Sequence, residues 1–228
     1  LHCRLDLSRG QLLLVVGGAS GMLGAPLLAG RAALKLGAGK VRIGFLADAY
    51  PALDLQQPEL MLHPTDAVLA MSDSTHYLAG PGFGTDEKAR ALLPNLLELP
   101  QPLLLDADAL NLVAADPALQ TLLRARTEPA LLTPHPAEAA RLLQCPTSAV
   151  QSDRVNAALT LAREFNCIVL LKGAGSVCSD GSRWSINATG NAALSNAGQG
   201  DALAGMAIAL LAQGLNGLET LQCAAWLH

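Results

Sequence analysis

The sequence predicts an α/β domain with a mostly parallel sheet and helices on both faces of it. Three observations carry this. Short apolar runs alternate with stretches of helical spacing along nearly the whole chain. The first unit, Gln11 to Gly44, reads strand–helix–strand, which demands parallel strands and a right-handed crossover. Several apolar runs also end in loops rich in Gly, Pro and Asp, as strands do where an open α/β sheet binds ligands. At 228 residues the chain suffices for one such domain, expected to span 1–228.

In order, Gln11 to Val16 is a buried strand ending at Gly17-Gly18, Ala25 to Leu36 a helix, and Lys40 to Gly44 the second strand. Asp54 to Leu62 has no clear pattern. Ala67 to Met71 and Thr75 to Leu78 read as weak strands. Gly80 to Thr85 is a loop opening a helix from Asp86 to Leu99. Pro102 to Leu105 and Ala130 to Leu132 are strands, with helices at Ala109–Ala114 and Pro117–Ala125 between them. Ala137 to Leu143 and Val150 to Phe165 are helices, and Cys167 to Leu171 is a strand. Asp180-Gly181-Ser182 marks a hairpin between Ser176–Ser179 and Arg183–Ile186. Helices from Ala202 to Leu211 and from Leu218 to Leu227 complete the chain.

Composition narrows the function. The chain is 51% hydrophobic but 3% aromatic, with net charge −4 and a pI near 5.7. It has no Lys/Arg cluster, which argues against nucleic acid as a partner. No apolar run approaches the roughly 18 residues of a membrane span, and no secretory signal precedes the fold. Cys3, Cys145, Cys167, Cys178 and Cys223 show no metal-ligand spacing, and Cys167 and Cys178 sit in apolar runs. A reducing cytoplasm is the expected compartment. Apolar helices such as Ala207 to Leu211 would allow a homo-oligomer and fit a monomer core equally.

Six loops carry the chemistry, and all should converge on one sheet edge. The most informative is Asn196-Ala197-Gly198-Gln199-Gly200-Asp201, a glycine-rich turn that opens a helix. Its N–H groups and the helix dipole suit an anion such as a transferring phosphoryl group. Asp201 stands where a carboxylate could take a proton from a substrate hydroxyl beside that anion. Gly80-Pro81-Gly82-Phe83-Gly84 lets a ligand approach the backbone. Asp106 could hold a metal or a substrate hydroxyl, with a structural role at least as well supported, while Asp108 reads as a helix cap. His135, stiffened between two prolines and followed by Glu138, could hydrogen-bond a substrate amide or phosphate. Lys172-Gly173-Ala174-Gly175-Ser176 is not a P-loop, because the lysine comes first; it could line the sugar and base of a nucleotide. Gly17-Gly18-Ala19-Ser20-Gly21 lacks the dinucleotide fingerprint, so a Rossmann dehydrogenase fits poorly.

Taken together in order, these loops resemble the ADP/ATP-dependent NAD(P)H-hydrate dehydratases of the ribokinase-like superfamily. The residues that carry the resemblance are Gly17-Gly18-Ala19-Ser20-Gly21-Met22-x-Gly24-Ala25, Gly37-Ala38-Gly39, Gly80-Pro81-Gly82-x-Gly84, Asp106-Ala107-Asp108-Ala109-Leu110-Asn111, Thr133-Pro134-His135-Pro136-x-Glu138, Lys172-Gly173-Ala174-Gly175 and Gly198-x-Gly200-Asp201-x-Leu203-Ala204-Gly205. The resemblance implies a three-layer α/β/α sandwich. It also implies that the ring hydroxyl of NADH or NADPH hydrate is phosphorylated from ADP (ATP in some relatives) and that phosphate is then eliminated, leaving the reduced nicotinamide and AMP.

By the same resemblance, Asp201 is the base, and the N–H groups of Gly198 to Gly200 hold the phosphoryl group. Lys172, Gly173, Ala174, Gly175, Ser176 and Gly200 contact the adenine nucleotide. Ala25, Gly84, His135 and Asp201 contact the damaged dinucleotide. Mg²⁺ is expected on the nucleotide phosphates, with no residue assigned to it. The chain departs from the family in carrying Gln199 where a small or hydroxyl residue is usual and Ser176 where Thr is common. No epimerase domain is expected in this stretch, and the family normally continues past His228. Two other readings share these loops: a ribokinase-like kinase of a vitamin-precursor alcohol, and a nucleotide-binding module without turnover.

Overall fold

The computed structural model describes residues 11–71, 73–191 and 196–228. Cys3 and the N-terminal segment before Gln11 lie outside the described residues. In chain order the elements are β1 (Leu12–Gly17), α1 (Gly24–Lys35), β2 (Lys40–Phe45), β3 (Met61–Pro64), α2 (Thr65–Leu69), β4 (His76–Ala79), α3 (Glu87–Glu98), β5 (Leu103–Leu105), α4 (Ala107–Ala115), α5 (Pro117–Arg124), β6 (Ala130–Leu132), α6 (Pro136–Leu142), α7 (Thr147–Ser152), α8 (Arg154–Phe165), β7 (Cys167–Leu171), β8 (Val177–Ser179), β9 (Trp184–Ile186), α9 (Gln199–Ala212) and α10 (Gly217–Leu227).

The strands form one sheet in the order β3-β2-β1-β4-β5-β6-β7-β8-β9. Strands β1 to β7 pair in parallel, and the β8–β9 hairpin extends the sheet antiparallel from β7. Every residue of β1 is buried, as expected of a central parallel strand covered on both faces. Its side chains alternate between two cores. Leu14 and Val16 pack with buried residues of α3, α4, α5, α6 and α8, while Leu13 and Val15 pack with those of α1, α9 and α10. The layers are therefore helix, sheet, helix. The chain adds β2 and β3 on one side of β1, then returns to place β4 on the other. The carboxyl ends of β1 and β4 thus meet at a switch point, where such sheets open a ligand crevice.

Two segments differ from the sequence expectation. Ala67 to Met71 is no strand: its first residues lie in the helix α2 and it turns after Leu69, because Pro64 enters the helix extended and Val68 packs over Gly44, leaving too little room there for a side chain. The predicted helix from Val150 to Phe165 is two helices, broken at Asp153, whose carboxylate accepts the N–H of Asn156 at 2.9 Å and caps α8. The patternless stretch before Leu62 holds no strand until Met61, where β3 begins.

The helix that matters most for function is set by close backbone contact. A Cβ on Gly205 would lie 2.0 Å from the carbonyl oxygen of Ala29, so α9 rests on α1 backbone to backbone and its N-terminus is fixed over the sheet edge. On the opposite face, buried Arg126 donates to the carbonyls of Leu97, Leu99 and Gln101, each at 2.7 Å, and so satisfies the chain leaving α3. Among the described residues no helix is long and apolar enough to cross a membrane.

Candidate active site

The loops at the strand ends are joined side by side by backbone hydrogen bonds. Gly18 N–H donates to Pro81 O (3.1 Å) and Ala19 N–H to Gly82 O (2.7 Å). Asp106 N–H donates to Ala79 O (3.0 Å), Thr133 N–H to Leu105 O (3.2 Å) and Lys172 N–H to Pro134 O (2.8 Å). The predicted loops do converge on one edge. Gly80 is required for this: at φ +135°, a Cβ there would lie 1.8 Å from Asp106 O.

At the centre lies a charge cluster. Lys172 leaves the end of β7, and its Nζ donates to Asp106 Oδ1 at 2.8 Å. The carboxylate is buried and the lysine nearly so. Burial pulls the Lys172 ammonium toward neutrality, but the charges of Asp106, Glu138 and Asp201 outweigh it and hold the group above its ordinary value. Asp106 stands at the N-cap position of α4 without capping it, because Ala107 follows in the left-handed region (φ 47°). The turn leaves Asp106 free for Lys172.

Asp108 corrects the sequence expectation of a helix cap. It lies in the first turn of α4, and its Oδ2 accepts the N–H of Gly84 at 2.9 Å, tying the glycine loop to the cluster.

His135 caps α6. Its Nδ1 accepts the N–H groups of Ala137 (3.1 Å) and Glu138 (3.2 Å), and Glu138 Oε2 accepts His135 N–H at 2.7 Å. The other ring nitrogen, Nε2, lies 3.2 Å from Glu138 Oε1. This is a capping box built with a histidine, and it selects the neutral Nε2–H form. Burial, with Lys172 and Arg141 nearby, lowers the His135 pKa. Burial raises Glu138 to about 7 against the pull of Lys172. The imidazole remains half exposed at the edge.

Asp201 lies in the first turn of α9, directly after Gly200. Burial first, then the Asp106 and Asp108 charges, raise it to about 6, with Lys172 opposing. The turn that opens α9 is glycine-led, as its sequence suggests. Gly198 is the left-handed N-cap (φ 84°), and the N–H groups of the first turn face away from any partner within the helix. The N–H of Gln199 turns back toward Asn196 O, at a long 3.4 Å.

Beside this turn opens a cavity of about 650 Å³, within the range of small-molecule sites. Lys172, Gly173, Ala174 and Gly175 form one wall and Gln199, Gly200 and Leu203 another. Ile186 to Asn191 and His228 complete it. Five of the six predicted nucleotide contacts line it. Ser176 does not: its hydroxyl donates to Gly173 O at 3.1 Å and closes the base of the loop. Ala25, Gly84, His135 and Asp201 lie outside this cavity, on the same loop edge.

Sequence reasoning missed the wall from Ile186 to Asn191, whose only signal was a polar stretch with a glycine after the hairpin. It also missed Arg154, at the start of α8. The guanidinium donates to the carbonyls of Leu171 and Lys172 (both 3.2 Å) and of Ala174, so it holds the Lys172 loop from behind.

Sheet order, two helical layers and a glycine-opened helix over the strand ends define an α/β enzyme of the ribokinase-like fold. A ribokinase-like superfamily protein from Enterococcus faecalis superposes with a TM-score of 0.84 at 25% identity, covering 97% of this chain and 78% of that one. The chain belongs to the NAD(P)H-hydrate dehydratase family, whose model matches residues 13–228. It is 42% identical over 220 residues to the ADP-dependent (S)-NAD(P)H-hydrate dehydratase of Neisseria meningitidis serogroup B, covering 95% of this chain and 74% of the relative. The ADP/ATP-dependent NAD(P)H-hydrate dehydratase of Bacillus subtilis, co-crystallized with ATP and Mg²⁺, is similar in structure. Its TM-score is 0.83 at 27% identity, over 97% of this chain and 81% of that one. The bifunctional NAD(P)H-hydrate repair enzymes are longer, and this chain spans 44% of the one from Coxiella burnetii.

Proposed function

We propose that this chain dehydrates NADH or NADPH hydrate to the reduced nicotinamide, with ADP as phosphoryl donor and AMP and phosphate as products. The observation that carries the reading is Asp201. It is a half-buried carboxylate at the mouth of a helix N-terminal anion site, next to a cavity of nucleotide size and a buried lysine.

The division of the edge suggests how the reaction runs. The adenine nucleotide lies in the cavity, its base side against Ile186 and Leu203 and its phosphates toward Lys172 and Gly200. The hydrate lies beside it along Ala25, Gly84 and His135, so that its ring hydroxyl reaches Asp201. Asp201 takes the hydroxyl proton as the oxygen attacks the terminal phosphorus of ADP. The bond to the α-phosphate oxygen breaks, and AMP is the leaving group. N–H groups from Gly198 to Gly200, with Lys172, meet the charge of the transferring group. Phosphate then leaves with the electron pair of the C–O bond, a far better leaving group than hydroxide, and the ring regains its C=C double bond as a proton is lost from the neighbouring ring carbon.

Mg²⁺ is carried on nucleotide phosphates and needs only one or two protein carboxylates. The ion would ride on the nucleotide phosphates and neutralise their charge, with no carboxylate of this chain assigned to it, since Asp201 takes the hydroxyl proton and Asp106 is paired with Lys172. The enzyme works as one dehydratase domain in the cytoplasm. The buried thiols of Cys167 and Cys178, the latter pushed up to about 12 by burial, suit a reducing compartment.

The test follows the recovery of nicotinamide absorbance from NADH hydrate with Mg²⁺ and either ADP or ATP, with AMP measured in parallel. ADP-dependent recovery with AMP formed is expected. No recovery with either donor, in folded protein, would overturn the reading in favour of a related kinase.

A further inference from the structure

In the turn that opens α9, Gln199 carries a long side chain between Gly198 and Gly200. The side chain is partly buried. It lines the cavity beside Gly200, and its Oε1 lies 3.1 Å from His228 Nε2. His228 lines the same cavity from the end of α10. Its ring is partly buried and, with Lys172 nearby, is held below its ordinary pKa, so it is neutral at pH 7 and can donate through Nε2. With the amide oxygen committed to His228, the Gln199 amide offers two N–H donors. They share the cavity with Lys172, the lysine assigned to the phosphates, and the adjacent Gly200 lies against that lysine, since a Cβ there would be 3.3 Å from Lys172 Nζ.

We infer that the Gln199 side-chain amide is a phosphate ligand for the bound nucleoside diphosphate, and that His228 is the positioning residue that turns its NH₂ group toward the ligand. The inference rests on the nucleotide reading of this cavity. It adds a side-chain donor to a site otherwise served by backbone N–H groups and one lysine. Because the amide meets the diphosphate and not the base, it discriminates ADP from adenosine.

Calorimetric titration of ADP with Mg²⁺, and of adenosine, into the unsubstituted chain and into Gln199→Ser, Gln199→Glu, His228→Ala and the double variant Gln199→Ser/His228→Ala tests this without turnover. Hydrogen bonds to charged groups are strong enough that Gln199→Ser should weaken ADP about tenfold or more. Adenosine should change less than about twofold, by the same reasoning that places the amide on the phosphates. Gln199→Glu should weaken ADP further, by charge repulsion. His228→Ala should lower ADP affinity on its own yet add nothing in the Gln199→Ser background, because it acts only through that amide. In steady-state kinetics the loss should fall on KM for ADP more than on kcat. ADP bound equally by Gln199→Ser and the unsubstituted chain would overturn the inference while leaving the nucleotide site standing. Equal losses for ADP and adenosine would overturn it too, since they would mark a change of cavity shape. Absence of ADP binding by the unsubstituted chain would instead overturn the nucleotide reading and this inference with it.

Discussion

Asp106→Ala isolates the buried pair at the centre of the site. Asp106 Oδ1 and Lys172 Nζ are 2.8 Å apart, with side chains 2% and 19% exposed. Removing one partner of such a pair strands the other charge away from water, at a typical cost of about 3–5 kcal/mol. Glu138 and Asp201 remain near enough to act on Lys172. The lower end, about 3 kcal/mol, is therefore expected. For a chain of this size each kcal/mol moves the melting midpoint by roughly 2–4 °C, which gives a fall of about 6–12 °C. The assay is thermal unfolding at pH 7, followed by circular dichroism and checked for reversibility. The pH is chosen by sign: the Lys172 pKa is raised by folding, so its stabilisation is complete below the ordinary lysine value and is lost only as pH climbs through the folded one. The double variant Asp106→Ala/Lys172→Met removes both charges and should regain most of the loss. A single variant melting within about 2 °C of the unsubstituted chain would refute the reasoning. So would a double variant no more stable than the single one.

Asp201→Asn should leave the ADP dissociation constant within about threefold while kcat falls about 10²–10⁴-fold, as for loss of a general base. The unsubstituted rate should rise with pH through about 6, where Asp201 ionises, and equal turnover in the variant would refute the base role. The same group has the opposite effect on stability: its proton is kept in the folded state, so its contribution falls as pH rises from the ordinary Asp value to about 6, and Asp201→Asn should flatten that fall in a urea titration series. Arg154→Lys replaces a fork on three carbonyls with a point donor and should weaken ADP about tenfold with little change in kcat; calorimetry with unaltered affinity would show that the loop holds itself. Gly80→Ala puts a methyl group 1.8 Å from Asp106 O in a backbone region L-residues avoid, and the variant should be recovered unfolded or not at all. Chelation of Mg²⁺ should weaken ADP by an order of magnitude or more and AMP by less, read by titration with and without chelator.

The regular parts of the fold were legible because their signals are local. A fully apolar run such as Leu12 to Val16 reads as a central strand, and the helices that open near Asp86, Pro117 and Leu218 were placed by spacing, with Asp86, Asp116 and Asn216 found capping them in the structure. The misread segments were those where a tertiary contact outweighed local preference. Val68 is a strand former that the space over Gly44 draws into a helix, and Asp153 breaks a helix that apolar spacing alone would have continued. The site divides in the same way. Glycines at strand ends and an acid in a first turn announce themselves in sequence. Pairings across 66 residues, such as Asp106 with Lys172, do not, because nothing in either segment encodes the partner. His135 was legible as a loop residue held rigid, yet what holds it is its own ring accepting two N–H groups, a cap seldom made by this residue type.

The charge balance of the edge explains why so many weak signals must coincide. Asp106, Asp108, Glu138 and Asp201 gather around Lys172, and a diphosphate arriving there adds negative charge to an already acidic edge. No single element could make that favourable. The helix N-terminus contributes partial positive charge, Lys172 a full one already half committed to Asp106, and the ion carried by the nucleotide the remainder. Burial, with the Asp106 and Asp108 charges added to it, raises the Asp201 pKa to about 6, high enough for the proposed base to be effective and low enough for it to be ionised at neutral pH. A more basic edge would hold the nucleotide more tightly and depress that pKa, weakening the group that must take the proton. On the proposed reading the excess of carboxylates helps to tune the base, and recognition of the phosphates falls to backbone N–H groups, Lys172, the Gln199 amide and the ion carried by the nucleotide.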